Sequence, residues 1–204
     1  VVGSDAEAKC SDCEKGKYNE QDGQATNTCI ACGKGKWSDV AGLDAEGKCE
    51  ACVAGKWFDK DGQVTDVCKS CVAGKYFEQA GQQSDVCLVC GKGKWSDVVG
   101  SDAEAKCSDC EKGKYLTLEG QAEDVCIACV KGKFSSKEAQ QSDVCLSCGA
   151  GLGDSAPGSS NEASHCIACP FGKYSGADDV TCIKCAAGQY MTKQSPANAH
   201  AEDC

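Results

Sequence analysis

The sequence contains no arginine, and only two histidines, one methionine and three prolines in 204 residues. The strong core formers are scarce too. Val, Ile, Leu and Phe together number 29, about 14% of the chain. That lies below the roughly 20% under which a charged chain without other supports stays unfolded. One large hydrophobic core is thereby excluded, and covalent or metal staples have to replace it. The 21 lysines face 31 acidic residues for a net charge of −10, which argues against a nucleic-acid partner, since phosphate binding rests on clustered basic side chains. No apolar run approaches the ~20 residues of a membrane span. His165 and His200 have no serine or cysteine nucleophile at a recognisable spacing and read as bystanders. Nothing forms a catalytic constellation, so the expectation is a non-enzyme with no small-molecule substrate and no cofactor.

What the chain has instead is cysteine, 21 of 204 residues, the mark of a disulfide-held scaffold. Ten Cys-x-x-Cys pairs fall at 10/13, 29/32, 49/52, 68/71, 87/90, 107/110, 126/129, 145/148, 166/169 and 182/185, and Cys204 closes the chain. Three residues beyond nearly every pair comes a glycine, then lysine, then an aromatic. The aromatics are Tyr18, Trp37, Trp57, Tyr76, Trp95, Tyr115, Phe134 and Tyr174, with Tyr190 in a Gly-Gln-Tyr variant and Gly151-Leu152-Gly153 as the clear departure. A longer period lies over the short one: residues 1–18 recur identically at 98–115, an offset of 97 residues or five units, and 33–40 equals 91–98. Such duplication reads as recent copying within a long array. We divide the chain into uniform repeats over 1–148, about 7.5 units, and diverged repeats over 149–204 with a longer Ser/Gly-rich loop at 153–164. The whole reads as a window cut from a larger protein.

Each unit has the grammar of a small β-hairpin. A short polar strand is expected after the aromatic, then turn chemistry such as Gln21-Asp22-Gly23-Gln24 or Lys60-Asp61-Gly62-Gln63, then a return strand such as Thr65-Asp66-Val67-Cys68. A lone two-stranded hairpin is marginal in water, so each unit needs a staple and its neighbours, the logic of a quasi-one-dimensional repeat protein. The expected fold class is small, disulfide-rich and all-β: an elongated rod of tandem ~19-residue hairpins with little core. Within a unit, the glycine permits a left-handed or tight turn. The aromatic lies against a nearby disulfide and the adjacent unit. The lysine points to the other face, where eight such lysines would form a basic stripe, either paired with acidic edges of a neighbouring rod or simply solvated.

Two chemistries fit the cysteine spacing. A four-thiolate zinc pattern would combine the pairs into five sites and strand Cys204. A disulfide scheme can instead join the second cysteine of one pair to the first of the next. This gives Cys13–Cys29, Cys32–Cys49, Cys52–Cys68, Cys71–Cys87, Cys90–Cys107, Cys110–Cys126, Cys129–Cys145, Cys148–Cys166, Cys169–Cys182 and Cys185–Cys204. It uses Cys204 and leaves only Cys10, facing a missing upstream unit. Each bridge closes a loop of roughly 15 residues, worth about 3 kcal/mol by chain entropy. A redox role fits poorly, because a redox Cys-x-x-Cys normally occurs once, in a βαβ setting.

The repeated Cys-x-x-Cys-x-x-Gly-x-aromatic pattern resembles the ephrin-receptor-like cysteine-rich repeat and is similar to the first loop of tumour-necrosis-factor-receptor modules. The closest local match is Cys166-Ile167-Ala168-Cys169-Pro170-Phe171-Gly172-Lys173-Tyr174-Ser175. The resemblance implies an extracellular, elongated, non-catalytic chain in which the cysteine before Gly-x-aromatic bonds the next one downstream. Most units lack the proline usual after the second cysteine, and the copies are unusually uniform. Uniform arrays are similar to spacers or surface fibres such as those of algae and other protists, whereas receptor ligand-binding modules tend to diverge.

Lesser signals have plain readings. Asp59, Asp61 and Asp66 have the oxygen spacing of a short calcium loop, but equivalent units lack the paired aspartates. Asn27-Thr28-Cys29 is only the rare form of an N-glycan acceptor, and Ser155, Ser159 and Ser160 are the candidates for O-glycans. The expected function is an extracellular structural segment acting as a spacer or assembling into a surface filament, its partners being copies of itself or other surface proteins. A receptor or adhesion ectodomain that binds a protein ligand is the alternative, and a zinc array the second. Thiol alkylation of denatured, unreduced chain, read by mass, separates the cysteine chemistries: the bridge scheme predicts one label per chain, whereas labelling of nearly every cysteine would establish the zinc pattern.

Overall fold

The computed structural model describes residues 10–153, 156–161, 165–176, 179, 181–191 and 204. Residues 1–9, which belong to the first copy of the long repeat, and Asp154, Ser155 and His200 lie outside the described residues. The fold is nearly all β, a tandem series of nine two-stranded antiparallel hairpins. The strands number β1 to β18 in chain order. The first hairpin pairs β1 (Lys17–Tyr18) with β2 (Ile30–Ala31), the second β3 (Lys36–Trp37) with β4 (Glu50–Ala51), and the third β5 (Lys56–Trp57) with β6 (Lys69–Ser70). The ninth pairs β17 (Lys173–Tyr174) with β18 (Ile183–Lys184). Among the described residues, helical structure is confined to short pieces such as the 3-10 turns Glu46–Lys48 and Glu104–Lys106.

The strands do not fall where turn chemistry alone places them. The outgoing strand is the Lys-aromatic dipeptide itself, or Leu152–Gly153 in the eighth hairpin, and the return strand is the pair of residues inside the next Cys-x-x-Cys. Thr65–Val67 is not a strand. The reason is local: Asp66 Oδ1 accepts the backbone N–H of Cys68 at 3.0 Å, and Asp85, Asp124 and Asp143 do the same for Cys87, Cys126 and Cys145. An Asx-type turn at this point uses a donor that a ladder would need and delays pairing until the cysteine has passed.

Two-residue strands cannot hold a hairpin by themselves, and the neighbouring hairpins supply the rest. Between the second and third hairpins, Gly35 N–H donates to Phe58 O (2.9 Å), Ser38 N–H to Gln63 O (2.9 Å), and Gly62 N–H to Cys32 O (2.8 Å). Between the sixth and seventh, Gly113 donates to Ser135 O (2.8 Å), Leu116 to Gln140 O (2.9 Å) and Ala139 to Cys110 O (2.9 Å). The Asp-Gly-Gln stretch, expected to close a hairpin, therefore serves to lock one hairpin onto the preceding one. It also reaches one step further. A Cβ on Gly16 of the first hairpin would stand 2.6 Å from Gly62 O of the third, and Gly113 of the sixth meets Gly158 O of the eighth in the same way.

By contacts, the chain divides into two compact units, Val1–Val89 with Val98–Lys106 and Cys90–Asp97 with Cys107–Cys204. In each, the core is largely sulfur. Tyr18 packs on Cys32, Leu43 and Cys49 in the first unit. In the second, Phe134 packs with Cys148, Cys166 and Leu152. The buried serines Ser38, Ser101, Ser159 and Ser175 donate to the carbonyls of Val40, Val98, Ala156 and Leu152, so small polar residues enter this thin core with their hydroxyls bonded.

Gly113 has φ +80° and no room for a Cβ, whereas Gly172 has φ +77° with nothing within 4 Å. Gly113→Ala is expected to lower the unfolding midpoint clearly more than Gly172→Ala, which carries only the left-handed backbone cost of about 1 kcal/mol. Equal effects in chemical denaturation would count against this contact between hairpins two apart. Ala139, at φ +52°, occupies the slot that holds Gly62 in the third hairpin, so Ala139→Gly is expected to raise the same midpoint through a stability gain of up to about 1 kcal/mol.

Candidate functional site

The candidate site is the repeated set of lysine, aromatic and cysteine positions. Ten bridges are present: Cys13–Cys29, Cys32–Cys49, Cys52–Cys68, Cys71–Cys87, Cys90–Cys107, Cys110–Cys126, Cys129–Cys145, Cys148–Cys166, Cys169–Cys182 and Cys185–Cys204. Their Cα–Cα separations run from 5.5 to 5.9 Å, within the ordinary span of a disulfide. Cys10 is free and exposed. With twenty cysteines bridged, the zinc pattern has no thiolates to draw on, and among the described residues no group of three His, Cys, Asp or Glu is placed to hold a metal ion.

Each outgoing aromatic stands across the strand pair from the residue that follows a first cysteine. Tyr18 faces Ile30, Tyr76 faces Leu88, Tyr115 faces Ile127, Phe134 faces Leu146 and Tyr174 faces Ile183. The three tryptophans have polar partners instead: Trp37 faces Glu50, Trp57 faces Lys69 and Trp95 faces Ser108. Directly opposed residues share a face, so the aliphatic partners stand on the same face as the Tyr or Phe rings. Lys69 covers Trp57 by another route, its Nζ lying 4.5 Å from the ring centroid as a cation–π contact. Most of these aromatics are half-buried, but Tyr190 is 76% exposed.

The lysine beside each aromatic is half-buried. Several are matched by a carboxylate of their own hairpin: Lys17 by Glu14 (2.9 Å), Lys36 by Glu46 (2.9 Å), Lys94 by Asp109 (3.2 Å), and Lys114 by Glu111 (3.4 Å) and Asp124 (3.9 Å). The stripe is therefore locally neutralised at these four steps. Such exposed pairs add little stability.

The remaining candidates have structural work. Asp59 lies 3.7 Å from Lys69, Asp61 accepts from Gln63 through its carbonyl, and Asp66 holds Cys68. The calcium-loop aspartates thus make separate contacts. Asn27 fills the aspartate slot in the first hairpin, its Oδ1 accepting from Cys29 N–H at 3.1 Å. Ser159 is buried with its hydroxyl bonded to Ala156 O and offers no O-glycan site; Ser160 and His165 are half-buried. Two features escaped the sequence reading. One is the residue after the aromatic, always six beyond the second cysteine of a pair, which bonds to the next hairpin. The other is the Asx residue two before the first cysteine. Fixed distance from cysteine was the available signal for both.

No family model matches the chain, and no curated protein matches it. The likeness to receptor-type repeats therefore rests on the motif, and what stands is the coarser statement: a tandem cysteine-rich array of disulfide-paired hairpins.

In the longer second and fifth loops, hydrogen bonds from Lys48 and Lys106 hold the carboxyls of Asp44 and Asp102 below the usual range. A depressed carboxyl adds stability that is present above its unfolded pKa and lost as pH falls through the folded one. NMR titration should therefore find Asp44 and Asp102 protonating below the ~3.9 of a free aspartate. Lys48→Ala should raise the pKa of Asp44 alone.

Proposed function

We propose that this chain is a non-catalytic structural segment of an extracellular or cell-surface protein, a stapled repeat that spans distance or assembles with copies of itself into a surface filament. The observation that carries the reading is that all ten bridges obey one connectivity rule while successive hairpins spend their free backbone groups on one another. Disulfides in this number fit a chain matured in an oxidising compartment. Edge groups satisfied by the next repeat, with little apolar core, are the economy of a solenoid-like array. The partners in this reading are further copies or other surface proteins, and it needs no metal, cofactor or substrate.

The second reading is a receptor or adhesion ectodomain. It draws support from exposed apolar residues in the diverged part, Phe171 at 68% and Tyr190 at 76%, a departure from a plain spacer surface. Electron microscopy of native, unreduced material decides between them. Filaments with a fixed axial repeat are expected; discrete particles or membrane-tethered stalks would sink the filament and turn attention to a ligand at 149–204.

A further inference from the structure

We infer that the bridges give this chain a covalent spine that carries tension while keeping every hairpin loop off the tensile path. Follow the covalent connections from Cys13. The shortest route crosses to Cys29, runs through Ile30 and Ala31 to Cys32, crosses to Cys49, runs through Glu50 and Ala51 to Cys52, and so on to Cys204. The loop between bridged cysteines is a side branch throughout. Each repeat of the spine consists of one crossing of 5.5–5.9 Å and three residues of chain, so taut it spans roughly 16 Å, against roughly 65 Å for 19 residues without a bridge. Pulled from its ends, the oxidised chain reaches about a quarter of the length of the reduced one. The hydrogen bonds between neighbouring hairpins are thereby spared the full unravelling that tension imposes on an unbridged repeat.

A second observation points the same way. The separation of bridged cysteines varies from 13 to 19 residues, whereas the segment on the spine is three residues in all ten Cys-x-x-Cys pairs. Length changes, including the longer loop of the eighth hairpin with its separation of 18, fall wholly on the side branches. The return strands lie on the spine, and their register with the Lys-aromatic strands holds because the spine segment is constant.

The inference deepens the structural reading and rests on it for its use in the cell, yet it can be tested separately. The experiment is single-molecule stretching of the 204-residue chain by its termini. The oxidised protein is expected to extend without any lengthening step of several tens of ångströms. Added dithiothreitol, oxidised to its cyclic disulfide as it converts each bridge to two thiols, should release the loops one at a time, each step being roughly 50 Å for a 16-residue separation. In Cys71→Ala/Cys87→Ala, with no reductant, the final contour length should exceed that of the unaltered protein by about 50 Å, whether or not the altered hairpin folds. Steps of tens of ångströms in the oxidised protein, or an unchanged contour length in the double variant, would overturn the spine. Failure to see filaments by microscopy would leave this result standing and remove only the assembly.

Discussion

The structure depends on one covalent constraint, the bond from the second cysteine of each pair to the first cysteine of the next. A bridge within Cys-x-x-Cys would have closed a trivial loop and left every hairpin to its two-residue strands. Bridging forward closes a loop of 13 to 19 residues and places both strands of a hairpin beside the same sulfur pair. The conformational entropy removed from the unfolded chain, about 3 kcal/mol per bridge, is what a sequence this poor in Val, Ile, Leu and Phe cannot obtain from burial. The bridge also serves as core. The second cysteines of the pairs, such as Cys32, Cys90, Cys129 and Cys148, are wholly buried, and the aromatic of one hairpin lies on the disulfide of the next in the Tyr18 and Phe134 clusters.

From this constraint the backbone geometry follows. A stapled hairpin leaves the glycine before the Lys-aromatic strand, the residue after it and the loop glycine with free donors. Each finds its carbonyl on a neighbouring hairpin, at 2.8–2.9 Å between the second and third. These contacts use backbone rather than side chains, which is why loop sequences such as Asp61-Gly62-Gln63 and Glu138-Ala139-Gln140 can occupy equivalent places. Their limit is steric. Gly16, Gly35, Gly55 and Gly113 each touch the loop of the hairpin two along, so a side chain is excluded there whatever its polarity.

The sequence showed the repeat, the hairpin unit and the all-β class because each is written in spacing, and spacing survives without knowledge of the partner. The position of the strands was hidden. Thr65-Asp66-Val67 has the composition of a strand, and nothing in that segment announces that the Asp66 carboxylate will take the Cys68 N–H. The lysine stripe was half legible. Alternation places Lys17, Lys36, Lys94 and Lys114 on one side of the strand, but only Glu14 and Glu111 share an offset, three residues before their lysine, whereas Glu46 and Asp109 come ten and fifteen residues after theirs. Lateral contacts between hairpins were illegible for the same reason: a backbone donor has no residue type.

What varies on this frame is the residue after each first cysteine. It stands opposite the aromatic, or opposite Gly153 in the eighth hairpin, and is Ile30, Glu50, Lys69, Leu88, Ser108, Ile127, Leu146, Ile167 and Ile183 in turn. The first five mix two aliphatic residues with three polar ones, and the last four are all aliphatic, with Leu146 and Ile167 each 59% exposed. The backbone ladder is indifferent to this choice, since the strand hydrogen bonds involve no side chain. The surface chemistry of successive hairpins can therefore change one residue at a time, under no constraint from the staple or the neighbour contacts. Stability and surface character are thus held by separate residues, cysteine and glycine for the first and the strand position opposite the aromatic for the second. A uniform frame can carry either a repetitive surface or a graded one, and between residues 10 and 191 this chain passes from the former's mixed polarity to an apolar run.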